Sequence, residues 1–130
     1  MAQMDTISNM MSAIKNAEMV RKKEVIVKPA SKLAGEVLRI MQREGYVGEI
    51  EYIDDGRGGK FRVQLLGRIN SCGAIKPRFP VKKTEILDYA KQYLPSRDVG
   101  ILIISTSKGL KTHVECMKEG IGGVLIAYVY

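Results

Sequence analysis

Four consecutive aliphatic residues, Ile101-Leu102-Ile103-Ile104, stand between Gly100 and three hydroxyl residues, Ser105-Thr106-Ser107. The run is too short for a helix. As a strand it is apolar on both faces, because successive side chains point to opposite sides. Both faces of such a strand must be covered, so this chain requires a sheet with packed layers. A second run of strand length, Val124 to Tyr130, reaches the C-terminus. If it pairs beside the first, Gly122-Gly123 come near the hydroxyl segment.

The remaining pattern places other elements around these two strands. Asp5 is a candidate N-cap for a helix whose apolar positions are Ile7, Met10, Met11, Ile14 and Ala17. Arg21-Lys22-Lys23 leads into a short strand, Val25 to Val27, which Pro29 breaks. Ser31 caps a second helix with Leu33, Val37, Ile40 and Met41 on one face, and Gly45 stops it. Residues 49–52 and 60–65 alternate polar and apolar around the turn-rich Asp54 to Gly59, the pattern of a β-hairpin. The order α-β-α-β-β closes an N-terminal subdomain at residue 66. Residues 67–130 read as mostly β: short strands at 69–75 and 78–81 joined by a turn at Lys76-Pro77, and a brief helix around Ile86, Ala90, Tyr93 and Leu94. Thr112 and Glu115 have capping-box spacing for a further short helix that Gly120 ends. The expected fold is α+β in two small subdomains, 1–66 and 67–130.

Charge narrows the partner. Lys and Arg number 21 against 14 Asp and Glu, a net +7, which favours a polyanion and most often a nucleic acid. Residues 1–66 carry 11 basic and 9 acidic side chains, whereas 67–130 carry 10 and 5. Arg68, Lys76, Arg78, Lys82 and Lys83 follow one another without an intervening acid, so the polyanion is expected against the C-terminal half. No long apolar run or signal-peptide pattern favours a membrane, and the chain reads as cytoplasmic. Cys72 and Cys116 lack the spacing of zinc ligands or a redox dithiol and read as free thiols of a reducing interior.

Ser105-Thr106-Ser107-Lys108-Gly109 is the most informative segment. Read as a loop from a buried strand to a helix N-terminus, it offers hydroxyls, free N–H groups and a cation to phosphate or ribose oxygens. A solvated turn capping the next helix is the plain alternative. Gly122 and Gly123 permit close backbone approach or form an ordinary bulge. Tyr128 and Tyr130 suit either a stacking surface or the core. Lys76, Arg78, Lys82 and Lys83 form a phosphate-tracking strip or a solvated face. Ser31 caps its own helix while Lys32 reaches outward.

Signatures of enzymes fail. In Gly56 to Lys60, Asp54 and Phe61 occupy the glycine and hydroxyl positions of a phosphate loop, and Gly120-Ile121-Gly122-Gly123 lacks dinucleotide spacing. His113 is the lone histidine, and Asp54-Asp55 suit a turn better than a metal. No catalytic residue, cofactor, metal or small-molecule substrate is expected. The sequence is compatible with RNA recognition, a nucleotide-handling enzyme cradling phosphate at Ser105, and an assembly module docking through the tyrosine strand. The acid-free basic segment favours the first.

Residues 100–109 and 120–128, supported by 28–33, 45–49 and 72–79, together resemble the small-subunit ribosomal protein S-eight family in its archaeal or eukaryotic-cytosolic form. The likeness runs through essentially the whole chain. It departs at Thr112-His113-Val114-Glu115-Cys116, where a more acidic, alanine-bearing helix start is usual. The resemblance implies a two-subdomain protein that binds the central domain of small-subunit ribosomal RNA and supports assembly beside neighbouring ribosomal proteins. It also implies that Ser105, Thr106, Ser107, Lys108 and Gly109 enter a distorted RNA helix, with Gly122 and Gly123 nearby, and that Ser31 and Lys32 touch RNA.

Overall fold

A computed structural model describes residues 6–28, 30–76, 78–96 and 99–130. The expected roles of Asp5, Pro29 and Pro77 lie outside these residues. The chain divides into two compact units, Met1–Cys72 and Gly73–Tyr130.

In the first unit the order is α1 (Thr6–Met19), β1 (Glu24–Val27), α2 (Lys32–Arg43), β2 (Val47–Ile53) and β3 (Lys60–Leu65), as the patterning requires. Helix α1 buries Ile7, Met10, Met11, Ile14 and Ala17, the five positions that its periodicity marks. Helix α2 buries Ala34, Val37, Leu38, Ile40 and Met41, while Leu33 is only half-buried. The Ser31 side chain caps α2 by accepting from the Ala34 N–H at 3.1 Å. At the other end Gly45 N–H donates to the Gln42 carbonyl and Tyr46 N–H to that of Met41, with Gly45 at φ 83°, so the helix stops in a left-handed turn. The strands form an antiparallel sheet in the order β1-β3-β2. Asp54 and Asp55 shape the β2–β3 turn. Asp54 Oδ1 accepts from Gly56 N–H, and Asp55 Oδ1 from Arg57 and Gly59 N–H, at 2.9–3.0 Å. These backbone donors hold the Asp55 carboxyl below its ordinary range.

The remaining elements are β4 (Cys72–Ala74), β5 (Pro80–Val81), α3 (Ile86–Tyr93), β6 (Ile101–Thr106), β7 (Gly109–Thr112), α4 (His113–Glu119) and β8 (Gly123–Val129). The expected strands at 69–75 and 78–81 shrink to β4 and β5. At the start of the first, the Ile69 N–H donates to the side chain of Glu18, at Oε2, at 3.3 Å. Strand order is β4-β8-β6-β7, with β5 also beside β8. All four residues Ile101 to Ile104 are buried, as an apolar run on both faces demands. Leu102 and Ile104 join Ile75, Ile86, Cys116 and Leu125 in one cluster beneath α3 and α4. Each of these leucines and isoleucines contributes on the order of 1.5–3 kcal/mol by leaving water. Tyr93 stacks on Tyr128 at 5.6 Å and Tyr128 on Tyr130 at 6.2 Å, packed against that cluster.

Both thiols are free and buried. Cys72 Sγ donates to the Met11 carbonyl at 3.4 Å, and burial pushes its pKa up to about 11. Burial likewise raises the Cys116 thiol.

Candidate nucleic-acid interface

The hydroxyl segment is the apex of a hairpin, which corrects the expected loop. Ser105 and Thr106 belong to β6 and pair with Leu110 and Gly109 of β7, leaving Ser107-Lys108 as a two-residue turn. Gly109 sits at φ 103° while Ser107 and Lys108 keep negative φ, as in a type I turn closed by a glycine bulge. Thr106 Oγ1 locks the turn: it accepts from Lys108 N–H at 3.0 Å and donates to the Gly109 carbonyl at 2.7 Å. Ser107, Lys108 and Gly109 are exposed, whereas Ser105 and Thr106 are half-buried. Lys108 Nζ lies 3.9 Å from Glu119 Oε1, and Lys111 Nζ 3.1 Å from Glu119 Oε2.

The hairpin does not deliver its hydroxyls to a helix N-terminus. The four residues of β7 intervene, at about 3.3 Å apiece. The start of α4 is occupied by its own capping box: Thr112 Oγ1 accepts from Glu115 N–H at 3.2 Å, and Glu115 Oε1 accepts from Thr112 N–H at 3.0 Å. Contrary to the sequence expectation, the hairpin apex therefore stands apart from the dipole of α4. The side-chain donors at the exposed apex are the Ser107 hydroxyl and the Lys108 ammonium.

Strand β8 runs antiparallel to β6 and sets Val124 opposite Ser105, which places Gly123 beside the hydroxyl segment. A Cβ on Gly123 would collide with the Ser105 carbonyl, and one on Gly122 with the Val81 carbonyl. The same Gly122 position lies 3.2 Å from Lys82 Cα and from Lys83 N. The close backbone approach that these glycines allow is thus an approach of the chain to itself. It draws Lys82 and Lys83 to the Ser105 end of the sheet. Lys76, Arg78, Lys82 and Lys83 are all exposed. They flank the segment that lines the edge of β8, where Ile75 N–H donates to Ile126, Leu125 N–H to Phe79, and Val81 pairs Gly123.

Ser31 and Lys32 belong to the other unit. They border an open groove of about 500 Å³ that Arg39, Tyr52 and Phe61 also line. Tyr52 is 57% exposed and meets Phe61 edge-on at 6.0 Å. Sequence reasoning missed Tyr52 as a surface aromatic, because strand alternation alone accounts for it. It also missed Glu119, which lies in another element from Lys108 and Lys111 and has no local signal linking it to them.

Residues 5–130 match the family model of ribosomal protein S8. The chain is 56% identical, over 100% of both chains, to a protein of Pyrobaculum islandicum named small ribosomal subunit protein uS8. The chain belongs to the ribosomal protein S8 family. Proteins of the S8 family are structural constituents of the small ribosomal subunit in the cytoplasm and are not enzymes.

The other chemistry-bearing residues take structural parts in this S8 protein. His113 is buried, and its Nδ1 accepts from Leu102 N–H at 3.2 Å, which ties α4 to β6. The Nδ1 lone pair is committed to the backbone and the ring is shut away from solvent. Asp54 and Asp55 build their turn, and among the described residues no group of three metal-ligating side chains assembles. Among those residues no helix is long and apolar enough to cross a membrane. The Tyr128 and Tyr130 rings stack on each other over the core, and a Cβ on Gly73 would lie 2.9 Å from the Tyr128 hydroxyl.

Proposed function

We propose that this S8-family chain binds the central domain of small-subunit ribosomal RNA and supports assembly of the subunit, in contact with neighbouring ribosomal proteins. Recognition is assigned to the C-terminal subdomain, read from residue 67 onward. Within it Ser105, Ser107, Lys108 and Gly109 read the shape of a distorted RNA helix, and Thr106 holds their turn. Lys76 and Arg78, with Lys82 and Lys83, position the backbone, because phosphate contacts carry little sequence information. Gly122 and Gly123 act by bringing the strip and the apex together. Ser31 and Lys32 supply a further contact from the first unit. The observation that carries this reading is the close packing at Gly122-Gly123, which joins a hydroxyl-bearing rigid turn to an exposed basic segment. A rigid apex reads fixed shape, while flexible lysines supply attraction.

Filter binding of the full chain to a central-domain transcript across monovalent salt tests it. About four to six neutralised phosphates give a log–log slope of roughly −3 to −5. Crosslinking followed by sequencing should place the Ser107 turn on one site of that transcript. A flat salt series, or crosslinks scattered over unrelated RNA, overturns the assignment.

A further inference from the structure

Helices α1 and α2 end in the same way and with different residues. In α2 the left-handed position is Gly45. In α1 it is Arg21, whose N–H donates to the Glu18 carbonyl at 3.1 Å while Lys22 N–H donates to that of Ala17 at 2.9 Å. Arg21 has φ 59° and is the only non-glycine residue at positive φ among the described residues. Glycine takes this conformation without the steric penalty a Cβ brings, so an arginine here sits against the backbone's preference. An outlier of this kind points to use of the side chain.

The surroundings say what use. Arg21, Lys22 and Lys23 are exposed and line a concavity of about 370 Å³ with Glu18, Leu65 and Ile69. The carboxylate of Glu18 accepts from the Ile69 N–H at 3.3 Å, and among the described residues none of the three cations forms an ion pair. Compensation of the α1 dipole accounts for positive charge after the helix. It does not account for Arg21, because Lys22 and Lys23 already supply that charge without a strained backbone. A guanidinium differs from them in offering a planar fork of donors that matches a phosphate.

We propose that Arg21, with Lys22 and Lys23, is a second RNA-phosphate site, carried by the first unit at the end of α1. It rests on the RNA-binding reading above and adds a contact which that reading does not contain. The test uses the full chain, a central-domain transcript of small-subunit ribosomal RNA, and three variants. Arg21→Gly relieves the backbone and should melt at the wild-type temperature or a few degrees higher. The same variant should nonetheless raise Kd about three- to tenfold at ~0.1 M salt and flatten the log–log salt slope by about one. Arg21→Lys keeps the charge and should keep the slope. Ser107→Ala reports on the hairpin separately. If wild type binds and Ser107→Ala weakens it, while Arg21→Gly retains the wild-type Kd and slope, this site is refuted and the RNA reading stands. Loss of binding by Arg21→Gly together with a lower melting temperature also refutes it, since the residue is then structural. A wild-type chain that ignores the transcript overturns both.

Discussion

Thr106 and Ser107 are adjacent hydroxyls with opposite duties. Thr106 uses its oxygen as acceptor and donor within the turn, whereas Ser107 presents its own at the exposed apex. Losing a buried hydrogen bond to RNA leaves the RNA partner unsatisfied and costs about 1–3 kcal/mol. Ser107→Ala should therefore weaken cognate binding roughly 5- to 150-fold, with nonspecific binding and melting temperature nearly unchanged. Thr112→Ala should do the reverse: it removes the capping box of α4, lowers stability by about 0.5–2 kcal/mol and leaves affinity intact. Paired isotherms on cognate and scrambled RNA, with a melting curve for each variant, decide this. Normal binding by Ser107→Ala would move the recognition site elsewhere. The capping-box spacing of Thr112 and Glu115 was legible in the sequence. The division of labour at 106 and 107 was not, because three hydroxyls in a row look alike until the chain's path decides which one faces inward.

At the scale of elements, whatever has a strong period was legible. The five buried positions of α1, the β2–β3 hairpin with its aspartate turn, and the doubly buried β6 all follow from spacing alone. Strand β7 did not. Gly109-Leu110-Lys111-Thr112 contains one large apolar residue and begins with glycine, so its only strand signal is the partner β6, which lies across a turn. Overlooking it made the hairpin look like a strand-to-helix loop and lent it a dipole it does not have. The residues proposed to touch RNA were marked in the sequence by their hydroxyl, glycine and basic chemistry and by family likeness, since periodicity does not mark a side chain for a ligand. Gly123 belongs to this scale as well, because β8 and β6 meet through it. Gly123→Ala should cost about 1–3 kcal/mol in urea unfolding, as overpacking does, because the obstacle is the Ser105 backbone and not a flexible side chain. Cognate affinity should fall with it. A variant as stable as wild type would show that the β6–β8 contact relaxes freely.

For the whole molecule, Cys72 sets a limit at high pH. Its pKa stands at about 11 in the fold against 9.0 ordinarily. Between those values the unfolded chain releases a proton that the native chain keeps, so stability is intact below about pH 9 and falls as pH rises toward 11. The total is on the order of 2–3 kcal/mol. Urea midpoints measured across that range should fall more steeply for wild type than for Cys72→Ala. Equal slopes would mean that the thiol ionises without opening the fold.

The placement of the two cysteines has another consequence. Cys72 closes the first unit, where it bonds to α1, and Cys116 lies in the core of the second. Each unit thus contains one shielded thiol and no other, a built-in clock for its own opening. An alkylating reagent in excess, with peptide mass spectrometry to tell the two adducts apart, times both clocks in a single unmodified chain. One common rate means that the units breathe together, and two rates give the order in which an S8 protein comes undone.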